Sequence, residues 1–323
     1  MGNLLYQTKY GKYYINRCEE QIKKLSLNGK VQLILTSPPF PLNKKKQYGN
    51  YVGEEYLNWF AALSPLFAEL LTEDGSIVME LGNAWEKGRP VQSLLHLKSL
   101  ISFIEHPSAD LRLCQEFICY NPARLPSPAQ WVTINRIRTV DSFTRLWWMS
   151  KSDFPKADNR KVLRPYSKSM VSLLNRGSYN SGQRPSEHVI SEKSFLTDHK
   201  GSIMHNVIEL EQMDQKRELR LPQNAFSLSN TKSNEYFLKT CKENGVKPHP
   251  ARMQLELAQF FIEFLTDEDD LVLDPFGGSN TTGYCAEKLK RKWICIEVDE
   301  GYGEQSMIRF TDPTLDTTTK MGG

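Results

Sequence analysis

The stretch DLVLDPFGGSNTTGYCAEKLKRKWICIEVD, residues 270–299, predicts a strand, a glycine turn, a helix and a second strand in close succession. The first apolar run ends at Asp274, and Pro, Phe and two glycines follow it. A helix is expected to begin near Asn280 or Thr281, where amide and hydroxyl side chains can cap its first turn. This order is typical of an α/β protein with parallel strands.

The same stretch has features of a nucleoside-binding turn. Gly277 and Gly278 allow a ligand to approach the backbone closely, and the helix start offers unpaired amides. The second strand ends at Glu297, about twenty residues further on, which is a spacing typical of an acidic acceptor for ribose hydroxyls. An ordinary turn with a solvated Glu297 is the alternative. No G-x-x-x-x-G-K-[ST] pattern is present, which argues against a nucleotidase phosphate loop.

A second unusual stretch, LILTSPPFPL, occupies residues 33–42. Its apolar run predicts a strand that ends at Thr36, and two prolines cannot continue a central strand. The prolines therefore predict a stiff loop just beyond the sheet.

Strand-like and helical patterns alternate along most of the chain, which predicts an α/β fold with a largely parallel sheet. Helical spacing recurs from Tyr56 to Leu70, from Leu94 to Ile104 and from Leu257 to Phe264. Seven strands are predicted, at Lys12–Ile15, Val31–Thr36, Ser76–Leu81, Cys114–Cys119, Thr144–Met149, Leu271–Asp274 and Lys292–Glu297.

Residues 155–248 interrupt this alternation because they are rich in turn residues and lack sustained periodicity. Between Lys151 and Pro248 there are 17 Lys or Arg against 11 Asp or Glu, whereas the net charge of all 323 residues is only +3. We therefore predict three parts: residues 1–154, an inserted basic region at 155–248, and residues 249–323. The basic excess indicates either a phosphate-binding surface or a solvated charged face.

Composition narrows the class of protein. No apolar run is long enough to span a bilayer and no signal peptide is evident, so a cytoplasmic location is expected. The six cysteines show no C-x-x-C spacing and the six histidines show no ligand spacing, so neither a metal site nor a disulfide framework is predicted.

TSPPF followed far downstream by DPFGGSNTTG resembles the DNA amino-methyltransferases, and this motif order is similar to that of their β group. The blocks YNPARLPSPAQWV, LWWMSKSDFPKAD, KVLRPYS and HPAR make the chain most similar to PvuII-type cytosine-N4 methyltransferases. The resemblance implies a Rossmann-like methyltransferase fold with a seven-stranded, mostly parallel sheet, and S-adenosyl-L-methionine as cofactor. It also implies that the strands ending at Thr36 and Asp274 are neighbours.

The resemblance further implies a bacterial, site-specific enzyme that acts on double-stranded DNA beside a restriction endonuclease, as a monomer or homodimer. The inserted region would recognise the target sequence. Ser37 and the carbonyl of Pro38 would accept hydrogen bonds from the amine of a flipped-out cytosine, Pro39 would stiffen the loop, and Phe40 would stack on the base.

The implied cofactor site would lie along the glycine turn, and the helix-start residues could alternatively be simple caps. Asp274 would orient the turn or the cofactor's amino group. The implied cofactor-binding residues are Asp274, Phe276, Gly277, Gly278, Ser279, Asn280, Thr281 and Glu297. Lys44, Lys45 and Lys46 would bind DNA phosphates or remain solvated. Where the family often has Gly-Asp after its first strand, this chain has Asn16 and Arg17.

The serine of TSPPF favours cytosine N4, since the family's adenine-N6 enzymes usually carry DPPY or NPPY. Transfer to cytosine C5 is disfavoured because no cysteine follows a proline. Methylation of adenine N6 or of RNA remains an alternative, as does a catalytically inactive DNA-binding protein of the same fold.

Overall fold

The computed structural model describes residues 3–40, 51–122, 124–210, 226–228, 235–246, 248 and 252–315. Its strands are β1 Asn3–Gln7, β2 Gly11–Ile15, β3 Val31–Thr36, β4 Leu71–Leu81, β5 Arg112–Tyr120, β6 Phe143–Ser150, β7 Gly182–Gln183, β8 Val189–Ile190, β9 Val207–Leu210, β10 Phe226–Leu228, β11 Leu271–Asp274 and β12 Lys292–Glu297. Its α-helices are α1 Cys18–Leu25, α2 Gly53–Leu70, α3 Leu95–Ile104, α4 Lys168–Arg176, α5 Glu235–Glu243, α6 Leu255–Leu265, α7 Thr281–Lys288 and α8 Glu300–Ser306. Short helical turns of other types occur at Gln130–Ile134, Asn159–Val162 and Met307–Thr311.

Ten strands form one sheet in the order β1-β2-β12-β11-β3-β4-β6-β5-β9-β10. Six of its nine pairings are parallel, and the antiparallel ones are β1 with β2, β4 with β6 and β5 with β6. The predicted mostly parallel α/β sheet is thus confirmed, and each of the seven predicted strands is present.

The predicted count of seven strands is nevertheless too low for this sheet. Strand β1 adds one edge, while β9 and β10 extend the other edge beyond β5. The last two are only four and three residues long and lie in the turn-rich region. Runs this short carry too little alternation for sequence to reveal them.

Helices cover both faces of the sheet, and the adjacent Trp147 and Trp148 of β6 show this directly. Trp147 packs in a core with residues of α1, α2 and α3. Trp148 points to the opposite face, as alternation along a strand requires, and its ring lies 5.2 Å from that of Phe264 in α6. Both tryptophans are buried.

Helix α3 lies within the segment predicted to be helical, Leu94–Ile104, but not all of the apolar residues of that segment are buried. Leu94 and Ile101 are 61% and 53% exposed, whereas Leu95, His96, Ser99 and Phe103 are buried. The reason is Phe103, whose ring lies 5.2 Å from Phe60 in α2, and whose carbonyl accepts a hydrogen bond from Ser64. These contacts hold the Phe103 side of the helix against α2.

The chain divides into two compact units, residues 1–157 with 206–323, and residues 158–205. The first contains the ten-stranded sheet, and the second contains α4 and the two-stranded β7–β8 sheet. The predicted inserted region, 155–248, includes the second unit and continues into strands β9 and β10 of the sheet. None of the helices in the described ranges is long and apolar enough to cross a membrane.

Candidate functional site

The proline loop and the glycine turn leave adjacent strands at the same edge of the sheet. Strands β3 and β11 pair in parallel, with Leu33 opposite Val272 and Ile34 opposite Leu273. Strand β12 runs parallel on the far side of β11. The implied neighbourhood of the two motifs is therefore confirmed, and Glu297 ends the next strand along.

Asp274 joins the two motifs through hydrogen bonds. The hydroxyl of Thr36 donates to its Oδ1 over 2.7 Å, and the hydroxyl of Thr282 donates to its Oδ2 over 2.8 Å. The backbone amide of Phe276 also donates to Oδ1, over 3.1 Å. Burial raises the pKa of Asp274 to about 6, against the opposing effect of these donors. With its oxygens taken by the protein, Asp274 is arranged to orient the turn.

The glycine turn is fixed by its own backbone. The amide of Gly277 donates to the carbonyl of Ile296 over 2.8 Å, and that of Gly278 donates to Oε2 of Glu297 over 2.8 Å. Gly278 has φ +48°, a conformation that favours glycine. The hydroxyl of Tyr13, a buried residue of β2, donates to the carbonyl of Gly278 over 2.7 Å. The turn is therefore held from β2 and β12 together.

Asn280 caps helix α7. Its φ is +56°, and its Oδ1 accepts a hydrogen bond from the amide of Gly283 over 2.9 Å. Its Nδ2 donates to the hydroxyl of Tyr6, and the side chain is fully buried. This capping is the alternative that sequence left open for Asn280.

Ser279 and Thr281 both contact Arg309, a residue that sequence reasoning missed. The guanidinium of Arg309 donates to the carbonyl of Ser279 over 2.6 Å, to its Oγ over 3.2 Å and to Oγ1 of Thr281 over 3.1 Å. The guanidinium also lies 4.2 Å from the centre of the Phe237 ring. Burial lowers the pKa of Arg309 to about 10. No motif marks this arginine, because only the fold brings it to the turn.

Glu297 is half-buried beside the turn, where its carboxylate accepts three backbone amides. Oε2 accepts from Gly278, while Oε1 accepts from Val298 over 2.9 Å and from Asp299 over 3.0 Å. Burial raises the pKa of Glu297 despite these donors. A carboxylate has about four lone-pair positions, so one further donor, such as a hydroxyl, can be accepted.

Aromatic and polar side chains border the turn on the side of α1 and α2. The ring of Phe276 lies 5.8 Å from that of Trp59, edge to face. Trp59 in turn donates to Oε1 of Glu19 over 2.6 Å. The backbone amide of Asn16 donates to the carbonyl of Glu297 over 2.8 Å. Arg17 donates to the hydroxyl of Tyr51 over 3.2 Å.

The proline loop is anchored at its far end. The hydroxyl of Tyr56, a fully buried residue of α2, donates to the carbonyl of Pro39 over 2.8 Å. Pro38 is buried, while Ser37, Pro39 and Phe40 are each half-buried. The loop is thus anchored at Pro39 while Ser37 and Phe40 remain partly accessible.

Gly82, which follows β4, packs directly against Phe40. A Cβ placed on Gly82 would lie 2.5 Å from a ring carbon of Phe40, closer than any real contact. Only glycine therefore allows the ring its present position. The sequence signal for this contact is a glycine directly after the predicted strand Ser76–Leu81.

The remaining expectations concern the three consecutive lysines and the absence of a metal site or disulfide framework. Lys44, Lys45 and Lys46 lie outside the described residues. Among the residues that are described, no group of three or more His, Cys, Asp or Glu side chains is placed to hold a metal ion. All six cysteines are free, and all but Cys114 are buried.

Comparison with known proteins gives a consistent family. A family model described as DNA methylase, for N6 and N4 methyltransferases, matches residues 31–307. The type II methyltransferase M.PvuII of Proteus hauseri is 40% identical over 312 residues, covering 96% of this chain and 86% of that protein. The type II methyltransferase M2.MboI of Moraxella bovis is 41% identical over 66 residues, or 20% of this chain and 24% of that protein.

Solved structures show the same likeness. The PvuII DNA methyltransferase, described as cytosine-N4-specific, superposes with a TM-score of 0.72 at 33% identity, covering 98% of this chain and 91% of that one. The M1.HpyAVI complex with SAM gives a TM-score of 0.50 at 19% identity, covering 93% of this chain and 99% of that one, and it supports the fold alone.

Proposed function

Because the chain belongs to the DNA methylase family of N6 and N4 methyltransferases, we propose that it methylates the exocyclic N4 amine of cytosine in double-stranded DNA. The methyl donor in this proposal is S-adenosyl-L-methionine. The observation that carries the proposal is the pairing of β3 with β11, which places the Ser37–Phe40 loop and the glycine turn at one edge of the sheet. In parallel sheets, that edge is where ligands bind.

The residues at the glycine turn fit a nucleoside-bearing cofactor. Glu297 retains acceptor capacity for a ribose hydroxyl, and the half-buried ring of Phe276 offers an apolar surface beside the turn. Ser279, Asn280 and Thr281 have protein partners for their side chains, so we assign them to shaping the turn. S-adenosyl-L-methionine, when bound, would supply an activated methyl group on its sulfonium.

The proline loop supplies the groups that the amine requires. The lone pair of a cytosine amine is delocalised into the ring, so acceptors must draw the nitrogen towards tetrahedral geometry before it can attack. The Ser37 hydroxyl and the Pro38 carbonyl are the acceptors in this proposal. The anchor from Tyr56 to Pro39 keeps them in place, and such orientation accounts for much of the rate.

A paired cytosine is inaccessible inside the duplex, so the base must leave the stack at a cost of a few kcal/mol. The half-buried Phe40 ring, supported by Gly82, provides a surface for the displaced base to stack on. Serine rather than aspartate or asparagine at position 37 favours cytosine over adenine, and the similar PvuII enzyme is described as cytosine-N4-specific.

Residues 158–205 are the best-supported part of the predicted target-recognition region. They form a compact unit that contains eight Lys or Arg against four Asp or Glu. A basic unit of this kind suits binding to DNA phosphates. We further propose that the enzyme works in the bacterial cytoplasm and protects DNA from a partner restriction endonuclease without binding it stably.

The test is to incubate the purified chain with S-adenosyl-L-methionine and DNA of known sequence, then hydrolyse the DNA and identify the methylated nucleoside and its sequence context. The expected product is N4-methylcytosine at one defined site. N6-methyladenine would support the alternative substrate. Binding of both ligands without any methylated nucleoside would instead support an inactive DNA-binding protein.

A further inference from the structure

Residues 121–142 connect β5 to β6 and leave the sheet at the same edge as the proline loop. Tyr120 pairs with Phe143 at the base of this connection, and Arg145 pairs with Leu81 at the end of β4. Strand β4 lies beside β3, with Thr36 opposite Met79. We call residues 121–142 the β5–β6 connection. It therefore leaves the sheet at the same edge as the Ser37–Phe40 loop, with β4 between them.

Two contacts anchor the β5–β6 connection to the segment that follows Gly82. The Nδ2 of Asn83 donates to both carboxylate oxygens of Asp141, over 2.9 and 3.0 Å. The guanidinium of Arg138 lies 3.8 Å from the ring centre of Trp85 and donates to the carbonyl of Pro90 over 2.6 Å. Since Asn83 is the next residue after Gly82, the connection is fixed close to the support of Phe40.

Beyond these anchors, the β5–β6 connection exposes large apolar side chains. Leu125, Ile134 and Ile137 are 80%, 68% and 61% exposed. The connection carries three arginines and a single aspartate, and that aspartate is the one bonded to Asn83. Arg136 lies between Ile134 and Ile137 and is exposed.

Exposed aliphatic side chains beside cations match the chemistry of a DNA duplex that is being opened. Aliphatic groups can occupy the space between base pairs once a base is displaced, and arginine binds the phosphates alongside. The connection leaves the sheet at the same edge as the proline loop, which favours the DNA substrate as its partner. A DNA-phosphate contact alone would need no exposed leucine or isoleucine.

We infer that the β5–β6 connection inserts an apolar wedge, formed by Leu125, Ile134 and Ile137, into the duplex at the target cytosine while Arg136 binds an adjacent phosphate. This inference rests on the proposed function, because it concerns DNA opening at the same site. The wedge fills the gap in the stack and so lowers the cost of displacing the base. The base is then available to Phe40.

The experiment uses the full chain and three single variants, Leu125→Ser, Ile134→Ser and Ile137→Ser. Single-turnover methylation is measured on a fully paired duplex and on one in which the target cytosine faces an abasic position. At least one single variant, and the triple variant that combines all three changes, should methylate paired DNA about tenfold more slowly than wild type. The same variants should regain the wild-type rate on the duplex with the unpaired cytosine. Leu113→Ser is the matched control, since Leu113 is 44% exposed near the other end of β5. It should change neither rate.

Three results would overturn the wedge. They are unchanged rates on paired DNA, equal losses on both duplexes, and a shift from dimer to monomer in the variants with paired-DNA rates preserved. A separate check is Arg136→Gln, which should lower the slope of log binding constant against log salt by about 1. If wild-type enzyme methylates neither duplex, the proposed function fails instead, and the two failures are thus distinguishable.

Discussion

The hydroxyl of Thr36 donates a 2.7 Å hydrogen bond to Oδ1 of Asp274 across 238 residues of sequence. Thr36 is the residue before the proline loop, and Asp274 is the residue before the Pro275 that opens the glycine turn. Asp274 also accepts from Thr282 and from the amide of Phe276. One buried carboxyl group therefore joins the proline loop to the glycine turn.

Asp274 gives a prediction about stability and pH. Burial raises its pKa from 3.8 to about 6, so the folded protein holds this proton more tightly than the unfolded chain does. The resulting contribution to the free energy of unfolding is complete below pH about 3.8 and is lost as pH rises through about 6. Asp274→Asn cannot titrate. The stability of wild type relative to this variant should therefore fall between pH 4 and pH 7.

Urea unfolding of both proteins at a series of pH values measures this difference. Curves that stay parallel over the whole range would show that Asp274 does not titrate in the folded protein. Far-UV circular dichroism at pH 7 verifies that both chains are folded before the comparison.

Glu297→Ala should weaken binding of S-adenosyl-L-methionine at least tenfold while the methylated DNA sequence stays the same. The variant loses the acceptor for a ribose hydroxyl and also the acceptor for the Gly278 amide, whose hydrogen bond is 2.8 Å long. Isothermal titration calorimetry measures the affinity. Glu300→Ala, at an exposed position in the first turn of α8, is the matched control.

Unchanged affinity in Glu297→Ala would reduce Glu297 to a cap for the backbone amides of Val298 and Asp299. Glu297→Gln should bind with intermediate affinity, because its amide oxygen still accepts while its amide nitrogen faces a backbone donor.

Ser37→Ala should slow methyl transfer by roughly 10² or more, which is the scale of losing one positioned catalytic group. Its affinity for S-adenosyl-L-methionine should stay within twofold of wild type, since the glycine turn belongs to a different strand. Single-turnover methylation of a cytosine-containing duplex, measured beside calorimetry, tests both expectations. A normal rate would remove the main support for cytosine N4 over adenine N6.

The central strands could be predicted because each is a short apolar run with a clear end. Strands β3, β11 and β12 were predicted with the bounds that the structure shows. The family resemblance indicated that the strands ending at Thr36 and Asp274 are neighbours. Because parallel strands place their carboxyl ends at one edge of a sheet, the proline loop and the glycine turn were expected to meet there. Residues of β9 and β10 carried no such pattern, because strands of four and three residues are stabilised mainly by their neighbours.

The side chains that hold the site could not be predicted in the same way. Arg309 reaches Ser279 from a short helical turn thirty residues later, and nothing in its own surroundings marks it. Tyr13 reads as an ordinary strand residue, although its hydroxyl bonds the carbonyl of Gly278. In α3, helical spacing indicated the helix, but it did not reveal the Phe103–Phe60 contact that holds it against α2. Motifs therefore predicted the loops, and only the fold revealed their supports.

Gly82→Ala tests whether the position of the Phe40 ring limits the reaction. The new Cβ would lie 2.5 Å from one ring carbon of Phe40 and 2.7 Å from another, so the ring must move away. Phe40 is half-buried, so the ring can move towards solvent with little loss of fold stability. Methyl transfer should fall about tenfold or more, because a misplaced stacking surface leaves the displaced base poorly oriented.

Gly88→Ala is the control, since no atom lies within 4 Å of a Cβ there, although its φ of +69° gives it some backbone strain. Single-turnover rates, cofactor affinity and thermal unfolding are measured for all three proteins. A Gly82→Ala enzyme with wild-type rate would mean that the Phe40 ring contributes nothing to holding the base, whereas a loss in rate with cofactor affinity unchanged places its effect on the DNA side of the site.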